Sequence, residues 1–294
     1  MKSSLRLETD FSYGKTNIKD IYFEAPYKIM SPFVQEDCTE VMQMCASAGM
    51  LSGDMFDLEL KIGEHSNLLY TSQSYEKVFA SKGEKTIKRT RIRGEKEARL
   101  LYMPKPVIPF AHSDFMGENE IHLDPSSSFL YCDIFNCGRV AMGERFQMKR
   151  YQSKTRIYVG DILAMADHTL LDPSWFAYDT LGLWNNYTHN GLLYLYTPDG
   201  EQKSRIIWRQ AVVNVVRESS CECWEKAAMQ YMIILRTSPG RCDLFHRKSM
   251  AAGGLGSART ERHTEHLPRW CQCGEKWLFS HQRENRQWKV PQRC

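Results

Sequence analysis

The sequence predicts a mainly β fold made of many short strands. Three observations carry this. Phe56, Leu58, Leu60 and Ile62 alternate with Asp57, Glu59 and Lys61, the two-residue period of a strand with one buried face. Turn signals recur at short intervals: Lys82-Gly83, Gly94-Glu95, Gly160-Asp161 and Pro198-Asp199-Gly200. Long helical periods are few.

The elements follow in order. Gly63-Glu64 turns the chain out of the Phe56–Ile62 strand and into a second one, Asn67–Ser72. Further strands are expected at Thr86–Ile92, Ala98–Met103, Ser128–Phe135, Phe146–Tyr151, Thr155–Val159, Leu192–Tyr196 and Arg205–Val216. This spacing points to an antiparallel arrangement rather than an alternating α/β one. One helix is expected from about Cys221 to Arg236, N-capped by Ser219 or Ser220, and a shorter one near Asp37–Ala48. No internal repeat is apparent.

At 294 residues the chain has room for one large domain or two ordinary ones. Its 42% hydrophobic and 12% aromatic content excludes a wholly disordered chain. The longest apolar stretch, around Ala227–Leu235, is far short of the roughly 20 residues a membrane span needs. Met1–Asp10 has no apolar signal core, so the expected location is the cytoplasm.

The charge is unevenly spread. From Arg241 onward there are eight Arg and three Lys against five acids, so the whole net charge of +4 comes from this segment. The remainder is slightly acidic and offers no basic face of the kind that binds nucleic acid. Beyond Pro239 only five Leu, Ile or Val remain and hydrophobic periodicity is lost. The expected division is therefore a β-rich domain over 1–240 and a poorly ordered basic tail over 241–294.

Enzyme signatures are missing from the sequence. It contains no GxGxxG, GxxxxGK[ST], HExxH or GxSxG. Ser52-Gly53-Asp54 reads as a polar turn entering a strand. His168 and His189 are the residues on which a metal-dependent β-rich hydrolase, the alternative function, would rest. The ten cysteines make no CxxC…CxxC pair, and Cys132 and Cys137 lie in an apolar run as buried small hydrophobes. Cys221-x-Cys223 falls at the expected helix start, where side chains two apart diverge. Cys271-Gln272-Cys273, near His263, His266 and His281, is chemically the better metal cluster but sits in the tail. The basic run Lys82–Arg99 reads as strands with their charges in water, with a docking face for an acidic partner as its alternative.

Three segments, in order, carry a resemblance. They are Ser47-Ala48-Gly49-Met50-Leu51-Ser52-Gly53-Asp54 with Tyr70-Thr71-Ser72-Gln73-Ser74-Tyr75-Glu76-Lys77-Val78; Cys132-Asp133-Ile134-Phe135-Asn136-Cys137-Gly138-Arg139-Val140-Ala141-Met142-Gly143-Glu144-Arg145-Phe146; and Tyr187-Thr188-His189-Asn190-Gly191-Leu192-Leu193. Together they resemble the urease accessory protein UreD (UreH) family, over roughly residues 15–235. The family's first turn has a second Gly where Ser52 stands here, and residues 240–294 do not match its C-terminal stretch.

The resemblance implies a β-helix-type scaffold of many short strands with about two helices, and no catalytic activity. It implies partners: apo-urease, a UreF-like helical protein, and through it a UreG-like GTPase. It implies transient nickel rather than a tightly bound cofactor, with an internal channel as the metal's route. A transit route should hold its ion weakly at several oxygen or nitrogen sites, because a closed thiolate site would trap it. On that logic Asp54, Asp133 and Glu144 are the expected stepping ligands.

Overall fold

The computed structural model describes residues 1–34, 38–180, 184 and 187–198, together with the backbone of 227–238 and 241–251. Two sheets face one another. The first contains β1 (Lys2–Ser12), β2 (Lys15–Phe23), β6 (Met55–Ile62), β9 (Thr86–Gly94), β12 (Asp114–Leu123), β14 (Arg150–Val159) and β15 (Ile162–Leu171), in the order β15-β14-β12-β9-β6-β1-β2. The second contains β3 (Tyr27–Ile29), β5 (Thr39–Cys45), β7 (Asn67–Ser72), β10 (Arg99–Met103), β13 (Ser128–Asn136), β16 (His189–Thr197), β17 (Ala227–Ser238) and β18 (Arg241–Ala251), in the order β18-β17-β16-β13-β10-β7-β5-β3. Short strands β4 (Phe33–Val34), β8 (Glu76–Val78) and β11 (Val107–Pro109) pair at its margin.

From β5 to β14 the chain crosses from one sheet to the other at every long strand. Each circuit returns it beside its previous pass, running the same way. β6, β9, β12 and β14 are therefore parallel neighbours, as are β5, β7, β10 and β13, all without register shifts. This is a stacked-coil β-solenoid, the scaffold that the resemblance implies. It corrects the antiparallel reading. Strand spacing reports strand length and turn frequency, but not whether the chain doubles back or crosses over. Antiparallel pairs occur at the ends and margins of the stack: β1 with β2, β14 with β15, β13 with β16, β17 with β18, and β3 and β4 with β5.

Both expected helices are corrected as well. Thr39–Cys45, inside the shorter one, is a strand between β7 and β3, with most of its side chains buried. Ala227–Arg236, most of the longer one, lies in β17, which is paired with β16 and β18. A short apolar run carries no period when both faces are covered, so strand and helix look alike in it. Among the described residues the helical structure is one 3-10 turn, Val140–Met142. No helix among the described residues is long and apolar enough to cross a membrane.

The other expected strands stand, with small changes of boundary. Thr155–Val159 is the second half of β14, whereas Phe146 lies in a loop with φ near 50°, so that strand starts only at Arg150. Arg205–Val216 and 252–294 lie outside the described residues. The first part of the segment read as a tail forms β18.

A structural repeat is present that the residues do not display. Three coils close on one side with four-residue turns, 63–66, 95–98 and 124–127. In each, the last N–H donates to the first carbonyl: Ser66 to Gly63 (3.0 Å), Ala98 to Glu95 (3.0 Å) and Ser127 to Asp124 (2.9 Å). Successive turns also bond to one another, His65 N–H to Lys96 O and Glu97 N–H to Ser126 Oγ. The longer connections return on the opposite side.

Registered stacking aligns like side chains. Tyr70, Tyr102, Tyr131 and Tyr194 occupy partner positions on β7, β10, β13 and β16, all nearly fully buried. Their rings lie 5.7, 5.0 and 5.3 Å apart in succession. Such pairs add about 0.5–1.5 kcal/mol each beyond area burial. The opposing sheet meets this row with Phe56, Phe115 and Tyr151, and Phe135 stacks on Tyr151 at 4.4 Å.

Two expected outcomes follow. Tyr102→Ala, in the middle of the row, should lower stability by about 3–5 kcal/mol in urea unfolding, as large core truncations do, whereas Tyr22→Ala on the exposed edge should change it by under about 0.5 kcal/mol. Truncation after Gly240 removes β18 and leaves β17 as an open edge. Light scattering should show increased aggregation of the truncated chain, and equal solubility would show that β18 contributes nothing.

Candidate functional site

The segments that carry the resemblance are distant in sequence, but the coils gather them on the long-loop side. A bridge joins Met50 to Val78. β8 runs parallel to β11, and Val107 of β11 pairs with Phe135. Cys137 then donates to Thr188 O at 2.8 Å and accepts from Phe146 N–H at 2.7 Å. Gly49 is required in this stack. Its φ is +155°, and a Cβ there would fall 2.5 Å from the Lys77 carbonyl oxygen. Gly138 is similarly constrained, with φ +138° and the Glu144 carbonyl 2.8 Å from a Cβ.

Between the sheets, under these loops, lie two small cavities with mixed polar and apolar walls. The larger, about 60 Å³, is lined by Tyr27, Gln43, Cys45, Gly49, Glu76 and Lys88, among others. The second, about 30 Å³, is lined by Glu76, Lys88, Asn119, Tyr131, Asp133 and Ser153, among others. Each has room for at least one water. They share Glu76 and Lys88, so this ion pair stands in the wall common to both.

Lys88 sits on β9 at an inward position with Thr86, Thr90 and Ile92, while Arg89, Arg91 and Arg93 share the other face. Of the lysines and arginines described, Lys88 is the buried one, at 9% exposure. Its Nζ donates to Oε1 of Glu76 on β8. Burial pushes the Lys88 ammonium down, but the adjoining Glu76 carboxylate outweighs this and holds it above its ordinary value. The other Glu76 oxygen, Oε2, is buried without a hydrogen-bond partner. Nearby, Tyr70 donates to Gln43 Oε1 at 2.8 Å.

The three expected ligands are not brought together. Asp133, on β13, lines the second cavity and accepts from Ser153 Oγ at 3.3 Å. Burial raises its carboxyl to about 6, against the opposing effects of Ser153 and Lys88. Asp54 is buried at the entry to β6, where Oδ1 accepts from the amino terminus at 2.9 Å and Oδ2 from Leu51 N–H at 2.8 Å. This is the polar turn that Ser52-Gly53-Asp54 suggests. Glu144 is clamped by Arg139, whose Nε donates to Oε2 at 2.7 Å, and by Ala111 N–H. The Arg139 guanidinium bond lowers the Glu144 carboxyl below its usual range.

His189 is buried between Asn136 and Thr188, and burial lowers it to about 4, so it is neutral. His168, on the other sheet, meets Gln152 at 2.8 Å. Among the described residues no three His, Cys, Asp or Glu converge as a metal cluster. Cys132 and Cys137 are buried, as expected, and burial pushes their thiols up to about 12 and about 11. Cys221, Cys223, Cys271 and Cys273 lie outside the described residues.

The family model described as the UreD urease accessory protein matches residues 1–239. The chain belongs to the UreD family. Among curated UreD-family proteins, it is 37% identical over 189 residues to the urease accessory protein UreH of Helicobacter hepaticus, covering 64% of this chain and 75% of that one. It is 35% identical over 190 residues to UreH of Helicobacter pylori strain P12, and 33% over 190 residues to UreD of Acetivibrio thermocellus, each covering 64% of this chain and 72% of the relative. All the segments that carried the resemblance lie inside the UreD match.

Sequence reasoning missed Glu76 and Lys88 as site residues. The signal was parity: with Arg89, Arg91 and Arg93 on one face of a strand, Lys88 belongs to the other.

Asp133 should give the fold a pH signature. A carboxyl raised in the folded state contributes stability that is full below its ordinary value near 3.9 and lost as pH rises through about 6. The loss is about 3 kcal/mol at about 1.4 kcal/mol per unit. Asp133→Asn should therefore gain stability over the parent at pH 8 relative to pH 4.5. His189 acts in the opposite sense but is common to both proteins and cancels. Urea unfolding at the two pH values measures the difference, and an equal difference at both would refute the burial argument.

Proposed function

We propose that this urease accessory protein is a non-enzymatic cytoplasmic scaffold. It docks on apo-urease with a UreF-like helical partner, which recruits a UreG-like GTPase, and it passes nickel through its interior toward the urease active site. The observation that carries this reading is that two cavities between the sheets, beneath the family's signature segments, share the Glu76–Lys88 pair; we take them as one passage. Its mixed walls place hydroxyl, amide and carboxylate oxygens, those of Ser72, Gln43, Asn119, Asp133 and Ser153, beside apolar side chains such as Met50, Phe56 and Ile134. Such donors hold a divalent ion loosely, so the ion can leave as well as enter.

Within this reading Asp133 is the stepping ligand of the passage. Asp54 and Glu144 act structurally: one secures the amino terminus, and the other ties the loop before β12 to the loop before β14. Asp133→Ala should lower urease activation a few-fold while leaving the complex intact, whereas Glu144→Ala should lower the melting temperature.

The test is affinity capture from cells expressing the urease gene set. The tagged chain should bring down urease subunits and a P-loop GTPase, and the purified nickel-loaded chain should hydrolyse neither urea nor GTP. Turnover of urea by the chain alone would overturn the scaffold reading. Ser153→Leu, which fills the second cavity, should abolish activation in a folded, assembled complex, and unchanged activation would remove the passage from the mechanism.

A further inference from the structure

We propose that Lys88 is a tethered cation that gates the passage: a divalent ion crosses by displacing the Lys88 ammonium from Glu76, and the ammonium moves to Asp133 while the ion goes by. This deepens the proposed function and rests on its premise that the passage carries a divalent cation.

Three observations lead to it. The two cavities share Glu76 and Lys88, so an ion moving from one to the other must pass this pair. The Lys88 ammonium is bonded to one Glu76 oxygen, while the other is buried without a hydrogen-bond partner, an acceptor in reserve. Asp133, which can receive the ammonium, lines the second cavity together with Lys88 and lies close enough for the lysine charge to act on its carboxyl.

The physical consequence is selectivity by charge. A lysine side chain is a compact charge on a flexible stem, suited to moving between two carboxylates without leaving its strand. While it holds Glu76, it repels any other cation. A monovalent ion offers Glu76 no more charge than the ammonium already does, and the ammonium is tethered. A divalent ion offers twice the charge and wins the exchange. The ion first holds Glu76 while the ammonium holds Asp133, and the ammonium then returns to Glu76 as the ion steps to Asp133, so neither carboxylate is stranded during passage.

The test compares nickel binding by the full chain, using titration calorimetry, with urease activation by the assembled complex. Lys88→Met removes the resident cation and should bind Ni²⁺ at least tenfold more tightly than the parent. The double variant Lys88→Met/Glu76→Gln should lose that gain. Lys88→Arg, whose planar fork holds a carboxylate with two bonds, should fold and assemble normally but activate urease at least fivefold more slowly. A folded Lys88→Met chain with parental nickel affinity overturns the gate. Should that variant not fold, Lys88→Arg decides alone, and parental activation by it overturns the gate. Ser153→Leu separates the two levels. If it leaves activation intact the passage itself fails, and if it blocks activation while the Lys88 variants behave as the parent, only the gate fails.

Discussion

Each coil of this protein can satisfy its backbone only on the coils beside it. The parallel strands β6, β9, β12 and β14, and β5, β7, β10 and β13, exchange hydrogen bonds with their neighbours in unbroken register. Because the side-chain period of a strand is two, a slip of one residue would turn every inward side chain outward. The rest follows from holding that register. It forms the row of four tyrosines, superposes the short turns and brings the signature segments together on the loop side.

The same register lets the interior carry charge. A buried ammonium or carboxylate alone would be expelled or neutralised, and a buried pair survives only when its partners are held close. β8 and β9 hold Glu76 against Lys88. Asp133 is less well compensated: its contact from Ser153 is 3.3 Å long, and burial pushes its carboxyl above the ordinary range. Native cores avoid such groups unless something is gained, which is the ground for seeking the function in this layer.

Much of this was legible in the residues. Phe56–Ile62 and Asn67–Ser72 could be read because one strand alternates and the other is bounded by turns. Asp54 could be read as a turn acid. The parallel topology could not be derived from spacing and came through the family resemblance. Thr39–Cys45 and Ala227–Ser238 hid their strand nature because their residues do not alternate polar with apolar. The cavity lining was half visible. Asp133 was named through the family resemblance, but Glu76 and Lys88 were concealed by solvated neighbours, and only the fold shows that they meet.

The two sides of the solenoid differ in how freely they can change length. On one side the turns 63–66, 95–98 and 124–127 are four residues each and bond to one another, so an insertion in one would break contacts with the next. On the other side the connections are longer and unequal. Closing a loop twice as long costs only about 0.6 kcal/mol. Divergence by insertion and deletion should therefore accumulate on the long-loop side while the tight-turn side keeps its count. A surface that must fit different partners in different lineages can be remodelled there without disturbing the interior layer beneath it.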